Sequence, residues 1–283
     1  MVWEMNHHLA RGKRSRVWGG AFLCWLCLMM ATPKIPHSPR HHIFADMRNF
    51  LGVPNTLNVF TNFPFLVIGV LGLVFCLQGD FFLISSRGEF LVWAWFYAGI
   101  TAMAFGSAYY HLKPDDNRVM WDSLPMIIAY SSLFSALIVE RVGEVIGLAC
   151  LLLLLGVAVL STVCERWFND LRLCMMFQLI PCVAIPVTAY TFLPKYTHSK
   201  YWLWASDHLA GVYLLAKFEA VADKKIYNIS YYFMSGHSLE HLCLVMVPVL
   251  LTHMLMFRSA KYPSNDVLRA SLPTRTSYCD RTD

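Results

Sequence analysis

Eight apolar runs, most of them near the length that crosses a bilayer, succeed one another along this 283-residue chain. They lie near 17–31, 55–77, 89–112, 119–139, 145–163, 171–193, 201–222 and 231–257. A spanning helix needs about 20 apolar residues, each backbone group being satisfied within its own segment. Only 14% of the residues are charged, against about 25% in a soluble domain. The expected fold class is therefore all-α: a polytopic membrane protein with a seven-transmembrane-helix core preceded by one extra hydrophobic helix.

Five segments follow from this count. Residues 1–16 form a basic cytosolic tail, 17–31 a signal-anchor-like helix and 32–54 an outer loop. Residues 55–257 form the seven-helix domain, and 258–283 a basic polar tail. The first run follows Arg11, Lys13, Arg14 and Arg16, and its length suits a signal-peptide core as well as a short spanning anchor; no clean A-x-A cleavage site follows, which favours the retained anchor. The net charge of +5 is mostly terminal. Basic residues that flank spans fit cytosolic ends, and this distribution argues against a nucleic-acid partner. Cys24 and Cys27 form a CxxC, but they sit in AFLCWLCLMM without a second pair, as small apolar helix residues.

Five polar residues stand at the ends of these runs: Ser107 and His111 in GSAYYH, Asp122 in VMWDSLPM, and His237 and His241 in SGHSLEH. Ionisable groups in spanning helices are costly and usually point into the bundle. The four-residue spacing of Ser107 with His111, and of His237 with His241, puts each pair on one helix face. The third span ends near His111, the fourth begins near Asp122 and the eighth begins before His237. Alternating topology brings those three ends to one side of the membrane. Three imidazoles, a carboxylate and a hydroxyl are the inventory of a hydrolytic zinc site with a position for water. On that reading His111, His237 and His241 are the metal ligands, Asp122 takes the water proton, and Ser107 donates to the oxyanion.

Other groups carry blander expectations. His37, His41 and His42 read as surface histidines of the outer loop. Lys217, Glu219 and Asp223 lie level with the site, with the acids ion-paired to Lys217, Lys224 or Lys225. Asp207, His208 and His253 fall too far along their helices to join it. His237-x-x-Glu240-His241 also matches an H-x-x-E-H peptidase pattern, in which Glu240 is the base. No third ligand follows it, however, and the motif sits in a membrane segment.

GSAYYHLKPDDNRVMWDSLPM and SGHSLEHL resemble the alkaline ceramidase family, in the superfamily that includes the adiponectin-type receptors. The likeness is to its plant and bacterial, alkaline phytoceramidase-like branch, and it covers about 45–257. Its anchor is S-x3-H, then D eleven residues on, then H-x3-H opening the last helix. The resemblance implies Zn²⁺ on His111, His237 and His241, with Asp122 and Ser107 in the roles given above. It implies hydrolysis of the amide of ceramide or phytoceramide in endoplasmic reticulum or Golgi membranes, with the site toward the lumen. A membrane lipid is then the partner. Two departures stand out. Glu240 occupies a position commonly basic in that branch. ADMRNFLGVPNT supplies Asp46, Asn49 and Asn55 where animal members carry an acidic Ca²⁺-binding segment, and calcium needs six to eight oxygens. Two alternatives remain: a zinc-containing seven-helix receptor, and a hydrolase of another lipid amide or ester.

Overall fold

The computed structural model describes residues 19–20, 23–192 and 211–259. Residues 1–16 and 260–283, and Asp207 with His208, lie outside the described residues. Every regular element described is helical. Helix α1 covers 23–31, α2 Thr56–Gln78, α3 Arg87–Leu112, α4 Val119–Arg141, α5 Glu144–Phe168 and α6 Arg172–Thr191. Helix α7 covers 211–221, followed by the short α8 (Asp223–Ile229) and α9 (Gly236–Phe257). Six of these, α2 to α6 and α9, are long and apolar enough to cross a membrane. The chain is an all-α polytopic membrane protein. The run expected at 201–222 is helical over its described part, 211–221.

The helix starts follow local chemistry. Ser86 caps α3 by accepting from the Glu89 amide at 3.2 Å, and the Glu89 carboxylate accepts from the Ser85 amide at 2.8 Å. This reciprocal pairing satisfies amides that have no partner within the helix. Ser235 caps α9, accepting from the Ser238 amide at 3.1 Å. The last span therefore begins at Gly236, not at 231 as its apolar run suggests. Residues 223–229 instead form α8, and Tyr231 and Tyr232 turn the chain in the left-handed region, at φ 54 and 62. Helix α2 breaks after Phe60 and resumes at Phe63, and α6 carries a π-helical turn at Ile180–Ala184.

Helix α3 is the spine of the bundle. Trp93, Phe96 and Tyr97 from it are almost fully enclosed, as are Leu137 of α4 and Leu251 and Leu255 of α9. Apolar side chains also cover the outside: Leu152, Leu153, Val159 and Leu160 of α5 are exposed. A helix apolar on both faces is what lipid requires. Gly106 brings α3 against α4, where an added Cβ would collide with the Trp121 carbonyl oxygen.

The start of α2, the end of α3, the start of α4 and the start of α9 gather at one end of the bundle. The segment before α2 lies across that end as a strap. Its Ile35 carbonyl accepts from the Leu171 amide, its Ala45 amide donates to Asp223, and Asn55 donates to the His111 carbonyl. At the opposite end, Arg258 and Glu89 form a buried ion pair at 2.6 Å. Arg258, expected to open the polar tail, is thus part of the bundle.

Candidate metal centre

His111 lies in the last turn of α3, one residue before its end, and is fully enclosed. His237 and His241 lie in the first two turns of α9, one turn apart on one face. Their rings converge: centroids are 4.9 Å apart for His111 and His237, 5.1 Å for His111 and His241, and 4.7 Å for His237 and His241. One nitrogen from each falls within 4.8 Å of the others. Among the described residues this is the one group of its kind. The three expected ligands therefore come together.

The second nitrogen of two rings is already engaged. His241 Nδ1 meets the Thr61 hydroxyl at 2.8 Å, and His237 Nδ1 lies 3.0 Å from Glu240 Oε2. A partner on Nδ1 leaves Nε2 with its lone pair for a metal, the usual arrangement behind a ligating histidine. His237 Nε2 and His111 Nε2 face each other at 3.2 Å. Two ligands at ~2.0–2.1 Å in a tetrahedral site stand roughly this far apart. The donor set fits a metal ion.

Ser107 and Asp122 complete the wall. Ser107 is buried one turn deeper on α3, and Asp122 is in the first turn of α4. The two side chains lie close enough to influence each other. Both line a cavity of about 1040 Å³ together with His237, His241, Lys217 and Glu240. All five expected site residues meet at one end of the bundle.

The HSLEH motif leaves Glu240 open between a base and a residue facing a neighbouring helix. Both of its oxygens are occupied, Oε2 by His237 and Oε1 by Lys217 of α7 at 2.7 Å. Its carboxylate is committed to an imidazole and an ammonium, whereas a peptidase base must keep an oxygen free for water. Lys217 consequently does not pair with Glu219 or Asp223. Asp223 accepts from the backbone amides of His237 at 2.9 Å and Ala45 at 2.7 Å, so it ties the start of α9 to the strap.

The strap supplies groups that sequence reasoning missed. Phe44 is buried, its ring 4.6 Å from that of His237 and 4.8 Å from that of His111, and it roofs the histidines. His37 and His42 are not free surface residues. His42 bonds Asp116 at 2.7 Å and the Tyr110 hydroxyl at 2.8 Å, while His37 lies 3.3 Å from Asp116. The His42 hydrogen bond holds the Asp116 carboxyl below the usual range, and burial pushes the His37 imidazole down. Histidines in a Pro-rich segment were the available signal, but their partner lies 74 residues from His42.

Calcium does not fit. Asp46 is buried, and both of its oxygens are held by Arg48, at 2.8 and 2.7 Å. Burial pushes the Asp46 carboxyl up, and the Arg48 hydrogen bonds more than reverse this, so it lies below its ordinary value. Asn55 points to the His111 carbonyl and Asn49 is exposed. The oxygens expected for a cation do not converge, and a guanidinium already occupies the carboxylate.

No family model matches the chain, and no curated protein matches it.

Proposed function

We propose that this protein is a zinc-dependent hydrolase of membrane lipid amides, with ceramide or phytoceramide as substrate. The observation that carries the reading is the convergence of three imidazoles, those of His111 and His241 buried and that of His237 half-buried, beside a carboxylate and a hydroxyl. They meet at the wall of a cavity that reaches apolar side chains. The resemblance to the alkaline ceramidases points the same way. So does a lining of Phe65, Met103, Met126 and Leu244, which suits an acyl chain. Residence in the endoplasmic reticulum or Golgi, with the site toward the lumen, belongs to the same proposal.

Zinc held by His111, His237 and His241 would supply Lewis acidity toward the amide carbonyl and acidify water. The chain's own residues do the rest. Asp122 takes a proton from water on one carboxylate oxygen as the water oxygen bonds to the carbonyl carbon, and returns that proton to the amine nitrogen as the C–N bond breaks, leaving a carboxylic acid and an amine. Ser107 has a single hydroxyl proton, which can serve either Asp122 or the developing oxyanion. Protonation of Asp122 weakens its hold on that hydroxyl and frees it for the oxyanion. Phe44 covers the histidines and excludes bulk water. Glu240 fixes the orientation of His237.

The test is metal analysis of purified protein, paired with release of fatty acid from ceramide in vesicles. Wild type should hold about one zinc per chain, and His111→Ala should lose it. Asp122→Asn should keep zinc and lose roughly 10²–10⁴-fold in turnover. Equal activity in Asp122→Asn removes that residue from the mechanism. A zinc-loaded wild type that turns over no lipid amide or ester favours the receptor.

A further inference from the structure

The cavity has two unlike ends. Its buried end is apolar: Phe65, Met103, Met126 and Leu244 also wall a second, smaller cavity with Phe96 and Val247. Its outer end carries Arg40 from the strap and Lys224 and Lys225 from α8, all exposed. Several other cations are taken: Arg48 by Asp46, Arg118 by Asp115, Arg172 by Asp170, Lys217 by Glu240 and Arg258 by Glu89. Among the described residues the three rim cations have no ion-pair partner. Of the acids lining the cavity, Glu240 is committed to Lys217 and His237 and Asp223 to two backbone amides, while Asp122 lies beside Ser107 at the site.

A lipid amide lying across the metal centre has its acyl chain on one side of the scissile bond and its amine portion on the other. An acyl chain directed inward leaves the amine portion facing the cationic rim. Ceramide itself offers only hydroxyls there. Unpaired cations stabilise an anion, and walls of low dielectric strengthen that attraction. We infer that the rim formed by Arg40, Lys224 and Lys225 is a headgroup subsite that selects lipid amides bearing a phosphate or carboxylate on the amine side. This inference rests on the hydrolase reading and narrows its substrate class.

The test uses the full chain in phosphatidylcholine vesicles, with ceramide and ceramide 1-phosphate compared at equal mole fraction. The measured quantity is the ratio of kcat/KM for the phosphorylated to the neutral lipid. The expected ratio is about tenfold, the scale of a few exposed charge contacts. It should shrink as salt rises from about 0.1 to 1 M and the screening length falls from ~10 to ~3 Å. In Arg40→Ser/Lys224→Ser/Lys225→Ser it should approach one. A wild-type ratio of one or less overturns the inference, and so does a ratio the triple variant leaves unchanged. A membrane-surface role for the rim makes a different prediction. Added phosphatidylserine would then speed hydrolysis of neutral ceramide by the same factor, and the triple variant would lose that gain; this result also overturns the subsite. Binding of the two lipids to Asp122→Asn protein reads the headgroup preference without turnover. Equal binding there sinks the subsite, whereas preferential binding with no hydrolysis by wild type sinks only the hydrolase.

Discussion

Glu240 shows how much a single residue's meaning depends on its surroundings. In the string HSLEH it can be a base, a surface charge or a partner for another helix. In the folded chain it touches His237 Nδ1 and Lys217 Nζ, at 3.0 and 2.7 Å. A carboxylate behind a ligating histidine fixes ring orientation, and losing such a partner typically costs about 10–100-fold in metal affinity. Glu240→Ala should therefore weaken zinc retention on that scale, measured by competition with a chelator. Glu240→Gln keeps an oxygen for the Nδ1 proton, so it should hold zinc and retain hydrolysis to within about tenfold. A Gln variant that is zinc-loaded yet inactive would make Glu240 the base. The ligands themselves were legible because four-residue spacing and position at a span end are local properties. The partner of His241 was not, because Thr61 lies 180 residues away.

At the level of elements, the junction of α3 with α4 sets the distance between Ser107 and Asp122. Gly106 makes that contact possible, since a Cβ there would collide with the Trp121 carbonyl oxygen. Both residues adjoin site residues, so any separation of the helices is passed directly to Ser107 and Asp122. Gly106→Ala should destabilise the protein by about 1–3 kcal/mol, as overpacking does. It should also lower hydrolysis beyond what the loss of folded protein explains. Thermal unfolding in detergent, followed beside ceramide turnover, separates the two effects. An unchanged melting temperature with full activity would show that α3 and α4 can part without cost. The strap is the element that apolar periodicity describes least well. Its sequence reads as an irregular outer loop, yet it contributes Phe44, His37, His42 and Asp46, each held by a contact with a neighbouring loop, helix end or strap residue. Its side chains follow no repeat, because they answer to separate loops rather than to one helix face.

Across the whole molecule, the two ends of the bundle are held by different chemistry. The site end depends on strap contacts and the histidine cluster. The far end closes on Glu89 and Arg258, whose side chains are almost completely buried and stand 2.6 Å apart. Removing one member takes from the other, a buried charge, its ion-pair partner. Arg258→Met should thus cost roughly 3–5 kcal/mol, and Glu89→Met/Arg258→Met should recover much of it. Denaturation midpoints of the three proteins in micelles check this, and additive losses would mean that the pair is not a unit. The amino-acid sequence by itself determined the helical class, the approximate position of most spans, and the gathering of five polar residues at one end of the bundle. Those follow from hydropathy and from alternating topology, which are properties of neighbouring residues. The tertiary structure alone decided that Glu240 serves His237, that Phe44 covers the histidines, that Arg48 replaces a cation at Asp46, and that the cavity has a cationic rim. The Phe44 contacts and the rim join groups far apart in the chain, and only packing brings such groups within a few ångströms. Glu240 and Asp46 meet near neighbours, but spacing does not fix which of several partners each takes.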